Sequence, residues 1–215
     1  MASHTEIFSD YFRRQFWGNK TGSSGPNSDP ELTPLLRQNL QELLEKLKIK
    51  SLLDAGCGDA NLFKAMLEHE PFKHRPLEYW GYECVSDLTS LNRAFFGAES
   101  FKNSGFNAVF DTRDIVFEPL PQVDLILSRD VLHYLPNPLI QHFLDNCLRS
   151  GSKYLLVTHN IHSEFSANSE TEVGVFRPVN LMQKPFHYPH PELSIAEDVF
   201  AKHLALFDLE RIRER

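Results

Sequence analysis

Hydrophobic residues along this chain follow two spacings, and each spacing predicts one kind of element. Where apolar residues recur every three or four positions, they favour helices with one buried face. Where they form short continuous runs, they favour buried strands. The predicted helices are 5–17, 31–48, 60–69, 86–97 and 139–148. The predicted strands are 51–54, 78–83, 106–110, 123–128, 153–158, 193–199 and 203–209.

The order of these elements indicates the fold class. Strands alternate with helices five times, which is typical of a parallel sheet with helices on both faces. The last two strands follow one another directly, which predicts an antiparallel hairpin at the sheet edge. We therefore expect an α/β fold with a Rossmann-like, doubly wound sheet that is mostly parallel and ends in an antiparallel strand.

Two of the predicted helices carry an apolar stripe. In the helix over 31–48, Asp29 is the expected N-cap and Pro30 the expected first residue. Its stripe consists of Leu32, Leu35, Leu36, Leu40, Leu43, Leu44 and Leu47. The helix over 86–97 is expected to bury Leu88, Leu91 and Phe95. The helix over 31–48 is interpreted as structural.

Composition narrows the classes of function. The net charge is −7 and the pI is near 5.8, so the chain lacks the basic field of a general nucleic-acid binder. Three cysteines without a Cys-x-x-Cys pair argue against a disulfide framework or a cysteine zinc site. The chain has no apolar run of about 18 residues and no signal-peptide core. We expect a cytoplasmic protein with no membrane partner. The sequence leaves the oligomeric state undetermined.

The stretch from Leu53 to Ala60 carries the strongest chemical signal. A buried strand ends at Asp54, and Gly56 and Gly58 then let the backbone turn sharply and approach a ligand closely. The N-terminus of the following helix faces the same turn. A dinucleotide-binding fingerprint would require a third glycine at position 61, which is Asn61 here.

This stretch resembles the first motif of class I S-adenosylmethionine (SAM) dependent methyltransferases, usually Asp-x-Gly-Cys-Gly-x-Gly, with Ala60 in place of the last glycine. Further blocks resemble a poorly characterised subgroup of that family: 16–18, 24–26, 128–132, 149–156 and 177–181. The subgroup has a Trp-Arg-Pro-Leu-Asn-Leu block after the fifth strand, where Phe176 replaces the Trp. The resemblance covers about residues 31–210. It implies the seven-stranded methyltransferase fold and SAM as cofactor.

The resemblance also implies which residues hold the methionine part of SAM. The turn at Gly56 and Gly58 would receive it, and Asp54 would engage its ammonium group, directly or through water. Ser128, at the end of the fourth predicted strand, is assigned to the cofactor as well.

Two carboxylates are expected to hold the nucleoside part of SAM. Glu83 ends the second predicted strand, where a carboxylate can accept hydrogen bonds from both ribose hydroxyls. Asp114 follows the third strand and is expected to meet the adenine amino group, with Asp111 as the competing candidate.

The remaining candidates follow the fourth and fifth strands, at the sheet edge where open α/β folds bind ligands. His133 is the first choice and His159 the second for a general base, because imidazole titrates near neutral pH. A packed, structural histidine is the alternative for His133. Arg129, Arg177 and Asn180 are expected to orient a polar substrate.

Two segments are expected to cover the site. Residues 1–30 combine an aromatic helix with a Gly/Ser-rich loop, which predicts a lid, although a flexible linker is the alternative. Residues 31–215 form the methyltransferase domain, and its irregular insert at about 160–191 is expected to cover the substrate.

No metal is expected. His159 with His162, and His187 with His190, form only pairs, without a carboxylate at a persuasive spacing.

These observations predict a SAM-dependent methyltransferase. The acidic pI and the polar residues of the insert favour a hydroxyl of a small polar or glycan-like acceptor. Two alternatives stay open: a protein or RNA methyltransferase, and an inactive module that keeps the fold for protein interactions. The first alternative predicts an open groove, whereas a lid predicts an enclosed site.

Overall fold

The computed structural model describes residues 3–18, 22–68, 75–98, 105–160, 168–197 and 202–214. Its centre is a seven-stranded sheet of order β3-β2-β1-β4-β5-β7-β6. The strands are β1 Ser51–Ala55, β2 Leu77–Glu83, β3 Phe106–Thr112, β4 Leu125–Ser128, β5 Tyr154–His159, β6 Leu193–Ala196 and β7 His203–Asp208. The helices are α1 His4–Arg13, α2 Pro34–Lys46, α3 Asn61–Leu67, α4 Ser86–Phe96, α5 Asn137–Arg149 and α6 Leu209–Arg213.

The first five strands pair in parallel, β7 pairs antiparallel with β5, and β6 pairs antiparallel with β7 at the edge. This confirms the predicted Rossmann-like, doubly wound sheet and its antiparallel end. β1 lies at the centre, where Asp54 is in register with Gly81 of β2 and Leu127 of β4. The order reverses between β1 and β4, so the carboxyl end of β1 opens at the topological switch point. The predicted end of β6 at 199 lies outside the described residues.

Hydrophobic clusters cover both faces of the sheet. One cluster joins α2, α3 and the end of α4 to residues on one face of the strands. The other joins α5 and the segment around Val179 to the opposite face. The alternation of helices therefore produces the three layers that the sequence predicted.

The helix predicted over 31–48 is interrupted. A 3₁₀ turn over Pro30–Leu32 precedes α2, and the Asp29 carboxylate accepts from the Glu31 N–H (3.0 Å) to cap that turn. α2 begins only at Pro34, because a proline disfavours helical backbone in the preceding residue. The prediction that Leu32 and Leu35 belong to the buried stripe was wrong, since both are exposed.

The buried face of α4 also differs from the prediction. Leu88 is buried as expected, but Leu91 and Phe95 are exposed, and the inward positions further along are Asn92 and Phe96. A hydrogen bond accounts for this orientation. The Asn92 Nδ2 group donates to the Gly58 carbonyl (2.8 Å), so this face of α4 lies against the glycine-containing loop after β1.

Candidate active site

The turn after β1 is fastened to the end of β2. Gly56 and Gly58 have φ angles of 81° and 55°, in the left-handed region that favours glycine. The N–H groups of Gly56 and Cys57 both donate to the Tyr82 carbonyl (2.8 and 3.1 Å). The turn is therefore a fixed platform rather than a loose loop.

Glu83 closes this platform from the end of β2. Its Oε2 accepts from the Gly58 N–H (2.9 Å), and its Oε1 accepts from the Val85 N–H (3.0 Å). Burial raises the pKa of the Glu83 carboxyl, against these hydrogen bonds. Oε1 also accepts from the Cys84 thiol (3.4 Å), so Oε2 is the oxygen that keeps a lone-pair direction for a ligand hydroxyl.

Asp54 lies beneath the glycine turn. Its Oδ2 accepts from the Tyr79 hydroxyl (2.8 Å), and the side chain is buried. Burial raises the pKa of Asp54 to about 7, although the hydrogen bond from Tyr79 works in the opposite direction. An incoming cation would therefore favour ionisation of this carboxyl at neutral pH.

Of the two aspartates after β3, the structure brings Asp114 to the site. Its Oδ2 lies 3.0 Å from Nε2 of His4, at the start of α1. Burial raises its pKa, but the His4 side chain and the Val116 N–H outweigh burial, so the pKa lies below its ordinary value. Asp111 instead pairs with Arg93 on the surface (2.9 Å).

These side chains surround one cavity. Among the predicted cofactor residues, Asp54, Gly56, Gly58, Glu83 and Asp114 line it. Arg129, predicted for the substrate, lines it as well. Ser128 is not among the lining residues: it is fully buried, and its Oγ donates to the Ala55 carbonyl (3.1 Å).

The N-terminal segment covers the cavity. α1 ends at Arg13, earlier than predicted, and the reversal at Gln15 (φ 51°) places Trp17 in the cavity wall. From α1 itself, His4, Phe8 and Phe12 line the same cavity.

The loop that follows α1 is tied to the glycine turn. The N–H groups of Ser23 and Ser24 donate to Asp59 Oδ2 (2.8 and 3.2 Å), and the Asp59 N–H donates to Ser24 Oγ (2.9 Å). Farther along, the Asn27 carbonyl accepts from Nη2 of Arg129 (2.7 Å).

A group of buried charges follows β4. Arg129 pairs with Glu197 (2.8 Å), and Lys202 donates to both carboxylate oxygens of Asp130 (2.7 and 2.8 Å). Asp130 has a φ of 57°, and its N–H donates to Thr158 Oγ1 (2.8 Å). Burial raises the pKa of Asp130, but the positive charges of Arg129 and Lys202 hold it below its ordinary value. Asp130 lines the cavity as an ionised carboxylate.

The two candidate histidines are not among the residues lining the cavity. His133 Nε2 lies 2.8 Å from Asn160 Oδ1, and its Nδ1 lies 3.8 Å from Asp130 Oδ1. His159 Nε2 lies 3.0 Å from Asn180 Oδ1. Burial lowers the pKa of both rings to about 4, so both are neutral near pH 7. Their assignment as the base stays a prediction.

Arg177 and Asn180 lie in the insert, and neither lines the cavity. Arg177 Nη2 donates to Asn137 Oδ1 (2.6 Å) and to the Leu135 carbonyl (3.1 Å). Asn180 bonds to His159 and to Asn168. Residues 168–191 contribute none of the cavity lining. Their buried residues, Val179, Leu181, Phe186 and Tyr188, belong to the core instead.

Within the described ranges, no group of three or more potential ligands could hold a metal ion. His162 lies outside those ranges. Among the described residues, no helix is long and apolar enough to cross a membrane.

A family model described as a methyltransferase domain matches residues 28–214. The chain belongs to this methyltransferase family. The match covers most of the chain, and the seven-stranded sheet has the class I topology. The enzyme class predicted from the sequence, a SAM-dependent methyltransferase, is confirmed.

Solved structures share the fold of this methyltransferase. Magnesium protoporphyrin IX methyltransferase (ChlM) from Synechocystis PCC 6803, with bound SAM, matches with a TM-score of 0.59 and 11% identity, over 96% of this chain and 97% of that one. Phosphoethanolamine N-methyltransferase 1 from Haemonchus contortus matches with a TM-score of 0.54 and 15% identity, over 80% of this chain and 36% of that one. None of the curated proteins compared matches the sequence.

Two residues of the site were missed by sequence reasoning. Asp59, which anchors the covering loop, directly follows the glycine turn, and Asp130 directly follows Arg129 in the segment after β4. Their positions in the segments that directly follow β1 and β4 could have indicated that both residues belong to the site. Lys202, the partner of Asp130, is 72 residues away, and no local pattern connects the two.

Proposed function

We propose that this methyltransferase binds SAM in the cavity after β1 and transfers its methyl group to a hydroxyl of a small acceptor. The observation that carries the proposal is the convergence of Asp54, Glu83 and Asp114 with the glycine turn around one cavity. These groups come from three strand ends and match the three parts of SAM. In the structurally similar ChlM, SAM is bound within the same fold.

The nucleoside end of SAM fits the polar groups on one side. Glu83 is already fixed by two backbone N–H groups, so the remaining lone pair of Oε2 is held in place for a ribose hydroxyl, and a second hydroxyl would replace the Cys84 thiol at Oε1. Asp114 can accept from the adenine amino group in the position that His4 now faces. We therefore expect the adenine of SAM to lie next to His4, at the start of α1.

The methionine end of SAM fits two other charged residues of the cavity, Asp54 and Arg129. Asp54 offers a carboxylate for the ammonium group. Arg129 was predicted to hold substrate, but its position beside the cavity suits the carboxylate of SAM better. Its hydrogen bonds to Glu197 and to the Asn27 carbonyl use Nε and Nη2, and Nη1 makes none to the described part of the chain.

When bound, SAM supplies an electrophilic methyl group on a sulfonium sulfur. The chain's task is to align the acceptor and to exclude water. Asp130 is the carboxylate best placed to accept the proton of the acceptor hydroxyl as its oxygen takes the methyl group. Lys202 and Thr158 hold Asp130 in position, and His133 packs behind it.

The covered cavity favours a small acceptor over a folded protein or an RNA duplex. α1 and the loop over 22–28 line the cavity, and the loop is tied to Asp59 and Arg129 by hydrogen bonds. The inactive-module alternative is disfavoured by the complete set of groups that SAM requires.

Replacing Glu83 with glutamine tests the proposal. One carboxylate oxygen becomes an amide that cannot accept, so we expect SAM affinity to fall about tenfold, the worth of one charge-assisted hydrogen bond. The measurement is calorimetric titration with SAM. Glu78→Gln is the control on the same strand, since Glu78 is exposed and bonds to Asn107 (2.6 Å). Equal affinities of the two variants would remove Glu83 from the ribose site.

SAM binding should also depend on pH through Asp54. Its pKa of about 7 means that the carboxyl is largely neutral at pH 6 and ionised at pH 8. Only the ionised form attracts an ammonium group, so affinity should rise by several-fold from pH 5.5 to pH 7.5. Asp54→Asn should abolish this rise and bind SAM weakly throughout. A flat profile for the native protein would exclude Asp54 as the ammonium partner.

A further inference from the structure

A row of aromatic rings runs from the cavity to the surface. Trp17 and Tyr134 line the cavity, and their ring centroids lie 5.0 Å apart. Tyr134 continues to Phe176 at 5.8 Å, and Trp17 continues to Phe16 at 5.9 Å. These four residues form the aromatic strip.

The two outer rings of the strip, Phe16 and Phe176, are 61% and 56% exposed. Neighbouring exposed phenylalanines are informative, because such apolar patches commonly mark binding surfaces. The backbone that carries Phe176 is fixed on both sides. The Gly174 N–H donates to the Tyr134 carbonyl (2.8 Å), and the Arg177 N–H donates to the His133 carbonyl (2.9 Å).

The cavity wall beside the strip is apolar as well. Phe8 lies 5.9 Å from Trp17, and Val131 and Leu135 lie close to Tyr134 in the chain. All three line the cavity. The cavity wall therefore combines these rings and aliphatic groups with the Asp130 carboxylate.

We propose that the aromatic strip binds the methyl acceptor, and that the acceptor is a planar, apolar ring compound that carries a hydroxyl. The proposal rests on the proposed function and names its substrate class. The rings of the strip meet at tilted and edge-to-face angles, and a surface built from such rings favours an aromatic ligand. A glycan needs hydrogen-bonding partners for each of its hydroxyls, and the side chains of Phe16 and Phe176 offer none.

The strip also explains why the acceptor does not need the insert's polar groups. Arg177 and Asn180 are occupied in holding the insert, whereas Phe176 beside them points its ring to Tyr134 at the edge of the cavity. The insert therefore contributes to acceptor binding through one aromatic ring.

The test is calorimetric titration of the complex with S-adenosylhomocysteine (SAH), the demethylated product of SAM. One titrant is 2-naphthol and the other is methyl α-glucoside, so that ring and glycan recognition are compared directly. We expect 2-naphthol to bind with a Kd below about 1 mM and the glucoside to give no heat. Phe16→Ala and Phe176→Ala should each weaken 2-naphthol about tenfold and leave SAH affinity unchanged.

Leu91→Ala is the matched control, because Leu91 is 58% exposed on α4, outside the strip. It should bind 2-naphthol as the native protein does. Unchanged 2-naphthol affinity in both phenylalanine variants, no 2-naphthol binding to the SAH complex, or tighter binding of the glucoside would each overturn the acceptor assignment alone. Failure of SAH itself to bind the folded protein would overturn the proposed function and this inference with it.

Discussion

Replacing Asp130 with asparagine should lower turnover about 100- to 10,000-fold, the usual worth of a positioned proton acceptor. The amide cannot take the proton of the acceptor hydroxyl. SAM affinity should remain close to that of the native protein, because the proposed cofactor groups are on other residues. The measurement is the rate of SAH release with a hydroxylated ring acceptor, together with calorimetric SAM binding.

The pH profile separates proton transfer from a structural role for Asp130. Arg129 and Lys202 hold its pKa low, so at saturating SAM the native rate should stay flat from pH 6 to pH 9. In Asp130→Asn the rate should rise with pH as the acceptor hydroxyl ionises by itself. Asp111→Asn, on the surface and paired with Arg93, is the control and should behave as native. A flat, uniformly low profile for Asp130→Asn would mean that the residue only maintains the fold.

Gly58→Ala should weaken SAM binding between about tenfold and a hundredfold. A Cβ atom at this position would collide with Ser24 Oγ, and the φ of 55° is strained for alanine. The loop over 22–28 would lose the hydrogen bond from the Asp59 N–H to Ser24 Oγ. Its own N–H groups would also lose hydrogen bonding to the Asp59 carboxylate. Losing two such hydrogen bonds, at about 1 kcal/mol each, accounts for the expected range.

Gly151→Ala is the matched control for Gly58→Ala. Gly151 also has a positive φ, 75°, but a Cβ atom there meets nothing closer than 3.5 Å. It lies at the start of β5, remote from the cavity, so it should share the backbone strain and leave SAM affinity unchanged. The measurements are calorimetric titration with SAM and thermal unfolding of both variants. An equal loss of SAM affinity in both would show that general destabilisation, and not the covering loop, is responsible.

The convergence of the proposed cofactor residues on one cavity could be predicted because it depends on local order. Asp54 and Glu83 lie at the ends of β1 and β2, Asp114 follows β3, and the carboxyl ends of parallel strands meet at one edge of the sheet. The alternation of strands and helices was therefore enough to place these carboxylates near each other. The glycines of the turn added the backbone conformation that the site requires.

The acceptor side could not be predicted in the same way. His133 follows Asp130 in the chain. The left-handed backbone of Asp130 is bonded to Thr158 of β5, and its carboxylate is bonded to Lys202. Likewise, the path of the insert is set by buried contacts such as Asn168 with Asn180. Such long-range pairs leave no periodic signal in the sequence.

Side-chain periodicity also failed where a polar contact decided the orientation of a helix. Hydrophobicity alone favoured Leu91 and Phe95 as the inward residues of α4. The bond from Asn92 to the Gly58 carbonyl turned the helix to another face. The hydrogen bond of the buried Asn92 amide therefore decided which face of α4 is buried, and Leu91 and Phe95 were left exposed.

The most direct test of the central claim is calorimetric titration of the native protein with SAM and with SAH. The proposed site offers a partner for each part of the cofactor, so micromolar binding of both compounds is the expected result. It should weaken in Glu83→Gln and persist in Glu78→Gln. A folded protein that binds neither compound would contradict the account and would favour the interaction-module alternative.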